Sequence, residues 1–328
     1  MRAVITGGTG FIGSHLVDAL VARGDNVLCI RRPGPARGWP LAAGACAVDC
    51  GFQDHTRLSA AIEGADVVFH IAGRTHGLAA DLYSSNAGAT ARIMRAAAAL
   101  GGVAPHVILT SSIAAVGPCR DGSVLHAKTF PAPISRYGRS KLAAEDHVFD
   151  YGARMPTTIL RLPSVYGPRE RALLRLINWI AHGFAITIGS WEREASLIYI
   201  RDAVQGMLAA ANRPPERPTT RLYYLSHPVP TSWSDFAATV ARALGRAAPL
   251  RLSLPRTPTL VLATVTERIA AWRGRASRLN RDRVDELSQT RWVCDPSDAM
   301  REISFAPSYS LEAGMRETVH WYRAMHWI

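Results

Sequence analysis

Apolar residues in the first half of the chain fall into short β-branched runs, separated by longer alanine-rich stretches of helical period. Runs at residues 3–6, 26–30, 45–48, 66–70, 106–110 and 157–162 predict strands, with helices beginning near Phe11, His55, Leu82 and Tyr137. Strands that alternate with helical crossovers lie parallel, so the expected fold class is α/β, a doubly wound parallel sheet. The rhythm changes after Tyr166-Gly167-Pro168. A helix-like stretch at 171–182 leads to short β pieces, and 196–200 with 201–212 reads as one more strand–helix unit returning to the sheet. Residues 221–225 read as a last strand, and the arginine-rich remainder is mostly helical, broken by Pro249, Pro255, Pro258 and Pro296. The expected organisation is a sheet domain over 1–166, rejoined by 196–226, and a smaller interleaved lobe from 167–195 and 227–328. No internal repeat or low-complexity tract is visible.

Length and composition fit this picture. The chain has 328 residues, 48% of them hydrophobic, enough for one large α/β domain with a lobe attached. No apolar run is long enough to span a membrane. The first strand runs straight into a glycine turn with no signal peptide before it, so the cytoplasm is the expected compartment. Five cysteines, with no Cys-x-x-Cys and no metal-type spacing, read as free thiols. The net charge of +12 changes little, because all but two of the 38 basic residues are arginine. They are scattered, and no aromatic-basic stripe accompanies them. That reads as compositional bias, and no nucleic-acid partner is expected.

Candidate chemistry begins at Thr6-Gly7-Gly8-Thr9-Gly10-Phe11-Ile12-Gly13. Gly7, Gly10 and Gly13 follow a strand and open a helix, the context in which such a turn cradles a dinucleotide pyrophosphate against a helix N-terminus. The second strand ends at Arg31-Arg32, where an acidic residue would suit the ribose of NAD. Arginines suit the 2′-phosphate, so NADP is expected, with NAD as the alternative. Asp49, ending the third strand, is open to two readings, a turn residue or a ligand of the adenine amino group.

Tyr137-Gly138-Arg139-Ser140-Lys141 puts Tyr137 and Lys141 one helical turn apart on one face. An ammonium beside a phenol favours the phenolate, so a lowered Tyr137 pKa is expected, fitting it to exchange a proton with an alcohol oxygen. Ser112, ending the strand of Leu109-Thr110-Ser111-Ser112, is placed to hold that oxygen. Lys141 is one of only two lysines, in a role for which a compact ammonium is better suited than a guanidinium.

Together with His70-Ile71-Ala72-Gly73, Asn86 with Gly88 and Thr90, Leu160-Arg161 and the C-terminal Asp295-Pro296 through Trp321-Tyr322, these motifs resemble the extended short-chain dehydrogenase/reductases over nearly the whole chain. The resemblance implies a Rossmann domain followed by a substrate lobe. It implies Tyr137 as acid/base, Lys141 as its activator and ribose ligand, Ser112 as donor to the substrate oxygen and Asn86 as active-site support. Implied cofactor contacts are Gly7, Gly10, Phe11, Ile12, Gly13, Arg31, Arg32, Asp49, Ala72, Asn86, Tyr137 and Lys141.

Two branches of that family compete. Nucleotide-sugar epimerases and dehydratases commonly carry Asn after the sixth strand, where this chain has Ser164. They also commonly carry Arg seven residues before Asp202 of Tyr199-Ile200-Arg201-Asp202, where this chain has Ala195. Arg193 or Arg169 are the available substitutes. The chain is nearer the branch resembling 3β-hydroxysteroid dehydrogenases and dihydroflavonol reductases. The expectation is therefore an oxidoreductase acting on a carbonyl or alcohol of a hydrophobic small molecule, steroid-, lipid- or flavonoid-like. A nucleotide-sugar epimerase or dehydratase, and a non-catalytic cofactor-binding relative, are the alternatives. Trp179, Phe184, Trp191, Trp233 and the 258–272 segment are candidates to line an apolar pocket. The 259–272 helix is a candidate for peripheral membrane contact, with Arg268 and Arg273 near its end. The expected assembly is a homodimer or monomer.

Overall fold

The computed structural model describes every residue except 36, 37, 102, 121 and 278. The chain forms β1 (Arg2–Thr6), α1 (Phe11–Ala22), β2 (Asn26–Arg31), β3 (Cys46–Asp49), α2 (His55–Ile62), β4 (Val67–His70) and α3 (Ala79–Tyr83). A π-helical turn (Ser84–Gly88) passes directly into α4 (Ala89–Ala98), followed by β5 (His106–Ser112), α5 (Arg136–Phe149) and β6 (Thr157–Leu162). β7 (Ser164–Tyr166), α6 (Leu174–Ala181), β8 (Phe184–Ile188), β9 (Glu194–Ala195), β10 (Leu197–Tyr199), α7 (Ile200–Ala211) and β11 (Thr220–Tyr224) come next. The remainder is β12 (Thr231–Ser232), α8 (Trp233–Leu244), β13 (Leu250–Leu254), α9 (Arg256–Trp272), α10 (Arg281–Ser288), β14 (Arg291–Trp292), α11 (Ser297–Glu302) and α12 (Leu311–Ala324).

Seven strands make one sheet in the order β11-β6-β5-β4-β1-β2-β3, every pair parallel. This is the doubly wound α/β architecture, and it explains the near-continuous apolar strands: both faces are covered. Alternate residues feed two separate cores. Ala3, Ile5, Phe69, Ile108 and Leu160 pack with Leu16, Val17 and Met207 of α1 and α7. Val4, Val68, Val107, Leu109 and Ile159 pack with Leu58, Ile93 and Val148 of α2, α4 and α5. The winding reverses at β1 and β4, so the crevice beyond their carboxyl ends is where such sheets take ligands.

One pairing differs from the sequence expectation. Leu197–Tyr199 does not return to the main sheet but pairs with Ser164–Tyr166 as a separate parallel ribbon. The outer edge of β6 is taken by β11 instead, with Leu222 opposite Ile159. In the C-terminal part, β8 and β13 pair in parallel, and β12-β9-β14 form a small third sheet. Among the described residues, no helix is long and apolar enough to cross a membrane.

Candidate active site

The glycine turn sits at the carboxyl end of β1. Gly7 has φ +78°, and a Cβ there would lie 2.7 Å from the Ala72 amide nitrogen; at Gly13 it would lie 2.1 Å from the Gly7 carbonyl oxygen. Both contacts are too short for any side chain, so the two glycines let β1, α1 and the β4 loop close to backbone distance. Gly10 caps α1 without a side-chain acceptor, leaving the helix N-terminus at Phe11, Ile12 and Gly13 to an anion. This cradle fits the pyrophosphate of a dinucleotide. Thr6 Oγ1 accepts the Ala72 amide (3.2 Å) and is bonded to His70 Nδ1 (2.7 Å), whose Nε2 meets Thr90 Oγ1 at 3.1 Å. Burial pulls His70 down to about 3, so it is a neutral strut between β1, β4 and α4.

Arg31 and Asp49, adjacent in the β2–β3 register, are ion-paired at 2.8 Å, both half-exposed. Asp49 therefore holds Arg31, while Arg32 is exposed and has no partner among the described residues.

Asn86 lies on the π-helical turn, and such wide turns recur at functional sites because they re-aim a side chain. Its Oδ1 accepts the Arg74 amide (2.8 Å), and its Nδ2 donates to Arg74 O (3.0 Å) and Ser140 Oγ (2.8 Å). The loop after β4 is thereby clamped to α5, next to Lys141.

Ser135 caps α5, accepting from the Gly138 amide at 3.0 Å, and so fixes where Tyr137 begins its turn. The Tyr137 hydroxyl lies within electrostatic reach of the Ser112 hydroxyl. Ser112 Oγ also accepts from the Ala114 amide at 3.2 Å, which orients it at the end of β5. Lys141 Nζ donates to the Thr110 carbonyl at 2.7 Å. Burial lowers Lys141 to about 8, opposed by the Glu145 carboxylate one turn further on. Glu145 accepts from Ser111 Oγ and from two nitrogens of Arg161. Ser112, Tyr137, Lys141 and Asn86 thus converge as expected from the sequence.

The electrostatics of Tyr137 do not follow the expectation. Burial pushes its phenol up to about 12, the Ser112 hydroxyl works in the opposite direction, and the Glu286 carboxylate raises it further. The cation expected to oppose that shift, the Lys141 ammonium, donates instead to the Thr110 carbonyl. Glu286 reaches the site from α10, close to Ser135, and is itself raised by burial. Nothing in its sequence neighbourhood points to that role. Arg136, beside Tyr137, is held by Asp282 (2.8 Å) and Glu267 (2.5 Å) of α10 and α9.

The apolar lobe residues do not gather into one pocket. Trp233 stacks on Phe236 beneath Arg193, Trp191 lies under Arg251, and Trp179, Phe184 and Trp272 are exposed. A lobe cavity of about 310 Å³ is lined instead by Tyr166, Leu197, Tyr199 and Tyr309 among others. The two substitute arginines are engaged as well. Arg193 donates to the Leu287 carbonyl and sits 4.5 Å from the Trp233 ring; Arg169 pairs with Asp18 at 2.7 Å.

Known proteins are similar to this chain over nearly its whole length. A ceramide reductase of Caulobacter vibrioides is 28% identical over 99% of this chain and 95% of its own. A probable UDP-glucuronate 4-epimerase of Rhizobium meliloti is 26% identical over 98% of this chain and 97% of its own. Among solved structures, the UDP-glucuronic acid 4-epimerase of Bacillus cereus in complex with NAD superposes with a TM-score of 0.78 at 21% identity, covering 99% of this chain and all of that one. The model of the NAD-dependent epimerase/dehydratase family matches residues 3–225. With the glycine cradle and the Ser112–Tyr137–Lys141 constellation in place, the chain belongs to the NAD-dependent epimerase/dehydratase family and is an enzyme of its oxidoreductase type.

Proposed function

We propose that this enzyme interconverts a ketone and a secondary alcohol on a hydrophobic small molecule of steroid, lipid or flavonoid kind, with NADP as its cofactor. The observation that carries the reading is the convergence of Ser112, oriented at the end of β5, with Tyr137 and with Lys141 one helical turn further along α5. The dinucleotide, when bound on the glycine cradle, supplies or accepts hydride at its nicotinamide ring. Ser112 holds the substrate oxygen, and Tyr137 delivers its proton to that oxygen as the ketone is reduced, or takes it back on oxidation. Lys141, at about 8, is a cation at neutral pH and, held at the Thr110 carbonyl, stands ready as a ribose ligand of the dinucleotide.

The substrate class rests on what the lobe offers a diphosphate. Ser164 and Ala195 supply no amide or guanidinium, Arg193 is turned inward, and Arg169 is ion-paired. The full-length similarity to a ceramide reductase supports the same choice. Arg32, at the end of β2 and without a partner among the described residues, supports NADP.

Reduced-nicotinamide absorbance with a panel of keto-steroids, β-keto lipids, flavonoid ketones, and UDP- and GDP-sugars tests the reading. Oxidation of NADPH by an apolar ketone is the expected result. Epimerisation of a sugar nucleotide without net cofactor turnover would establish the rival activity, and no turnover with any of them would point to a non-catalytic relative.

A further inference from the structure

α9 is built inside out for an element facing water. Of its 17 residues only Ala263 is fully buried, packed with Ile188 and Val284. Its inward side carries hydrogen-bonding groups: Thr266 donates to the Leu279 carbonyl, and Glu267 accepts from Arg136 and from the Arg281 amide. Its outward side is apolar. Val261, Leu262, Val265, Ile269 and Trp272 recur at spacings of three and four residues, so they share one face. All five are exposed, Val261 at 59% and Trp272 at 86%. β13, which enters α9 through Pro255, adds Leu250, Leu252 and Leu254, exposed and on one side of the strand by alternation.

The rim of this face is cationic. Arg268, Arg273 and Arg275 are exposed and unpaired among the described residues, whereas Arg256 at the other end is paired with Asp285. A second copy of the chain would bring the same arginines and another net charge of +12 against them, so self-association through this face is opposed. A surface of lipid phosphates over an apolar layer matches both the charge and the apolar stripe. Trp272 stands at the arginine end, where an indole lies at headgroup depth.

We propose that α9 lies flat on an anionic lipid surface, with the Val261–Trp272 face in the boundary between headgroups and acyl chains. The docked helix is linked to the active site, because its Glu267 holds Arg136, the residue before Tyr137. Resting on the substrate reading above, that linkage places Tyr137 beside the surface from which a hydrophobic ketone would arrive.

The test is co-sedimentation of the full chain with phosphatidylglycerol/phosphatidylcholine vesicles and with phosphatidylcholine vesicles alone. Binding to the anionic vesicles at least about tenfold tighter, and weakened by salt, is expected. Val265→Ser/Ile269→Ser/Trp272→Ser should cut it at least about tenfold, and Arg268→Ala/Arg273→Ala/Arg275→Ala should abolish the preference for anionic lipid. Unchanged thermal unfolding and NADPH binding show that both variants fold. Absence of vesicle binding, vesicle binding indifferent to both variants, or a dimer that the apolar substitutions dissociate overturns the proposal. None of these measurements uses a substrate, so their outcome is separate from that of the ketone panel.

Discussion

Arg161 grips Glu145 at two points inside the core, Nη2 to Oε2 at 2.6 Å and Nε to Oε1 at 3.0 Å, with the two side chains 3% and 0% exposed. The pair links β6 to α5 and sets a carboxylate one turn beyond Lys141. Its third partner is Ser111, and Arg161 also donates to the Tyr224 hydroxyl at 3.0 Å, so β5 and β11 are drawn into the same network. Arg161→Met would strand Glu145 as a buried charge and is expected to lower stability by about 3–5 kcal/mol. Urea denaturation measures this. The double variant with Glu145→Met should regain much of the loss; if it does not, the pair matters for packing rather than for charge.

Tyr137 and Glu286 make a second prediction. Tyr137→Phe should leave NADPH binding intact and lower turnover roughly a hundredfold or more. Glu286→Gln removes the negative charge that disfavours the phenolate, so the Tyr137 pKa falls. In alcohol oxidation, which requires the phenolate, the rising limb of the pH–rate profile should move to lower pH. A profile that stays in place would refute the influence of Glu286 on Tyr137.

The β2–β3 edge gives a third. If Arg32 meets the 2′-phosphate, Arg32→Ala weakens NADPH by about ten- to hundredfold, the worth of a charge-assisted hydrogen bond, and leaves NADH nearly unchanged. Asp49→Asn releases Arg31 from its ion pair and should strengthen NADPH binding. Titration of both cofactors decides the matter, and tighter binding of NADH by the unmodified chain would refute it.

A fourth concerns acid. His70 and His106 are held at about 3 and about 4, against 6.5 for an unburied imidazole, both by burial. Between pH 6.5 and 4 the unfolded chain therefore takes up protons that the folded chain refuses, and stability drops as pH falls. At full effect the two together cost about 3 kcal/mol per pH unit. Urea midpoints across this range should show the slope, and His106→Gln should roughly halve it.

How much of this was legible in the sequence depends on how local each cause is. The six strands and the glycine turn follow from periodicity and steric need within a few residues. The meeting of Ser112, Tyr137 and Lys141 follows from the fold class, because strand ends and the adjoining helix share one crevice. The misplaced pairing of Leu197–Tyr199 has a different origin: β10 and β11 compete for the outer edge of β6 across a long stretch of chain, and no local pattern decides between them. Glu286 approaches Tyr137 from about 150 residues away. The upward shift of Tyr137 comes from burial and from Glu286, both set by segments distant in the chain, which helical spacing leaves open.

The strand order also sets a timetable. β6 is buried along its full length, yet its outer neighbour β11 is roughly 60 residues further along the chain. At about 5–20 residues per second, a growing chain carries that apolar edge unpaired for roughly 3 to 12 seconds. During that interval the outer edge of Thr157–Leu162 is open to pairing with another nascent chain. Synthesis of Thr220–Tyr224 closes the window, so the last strand to enter the sheet protects it as well as completing it.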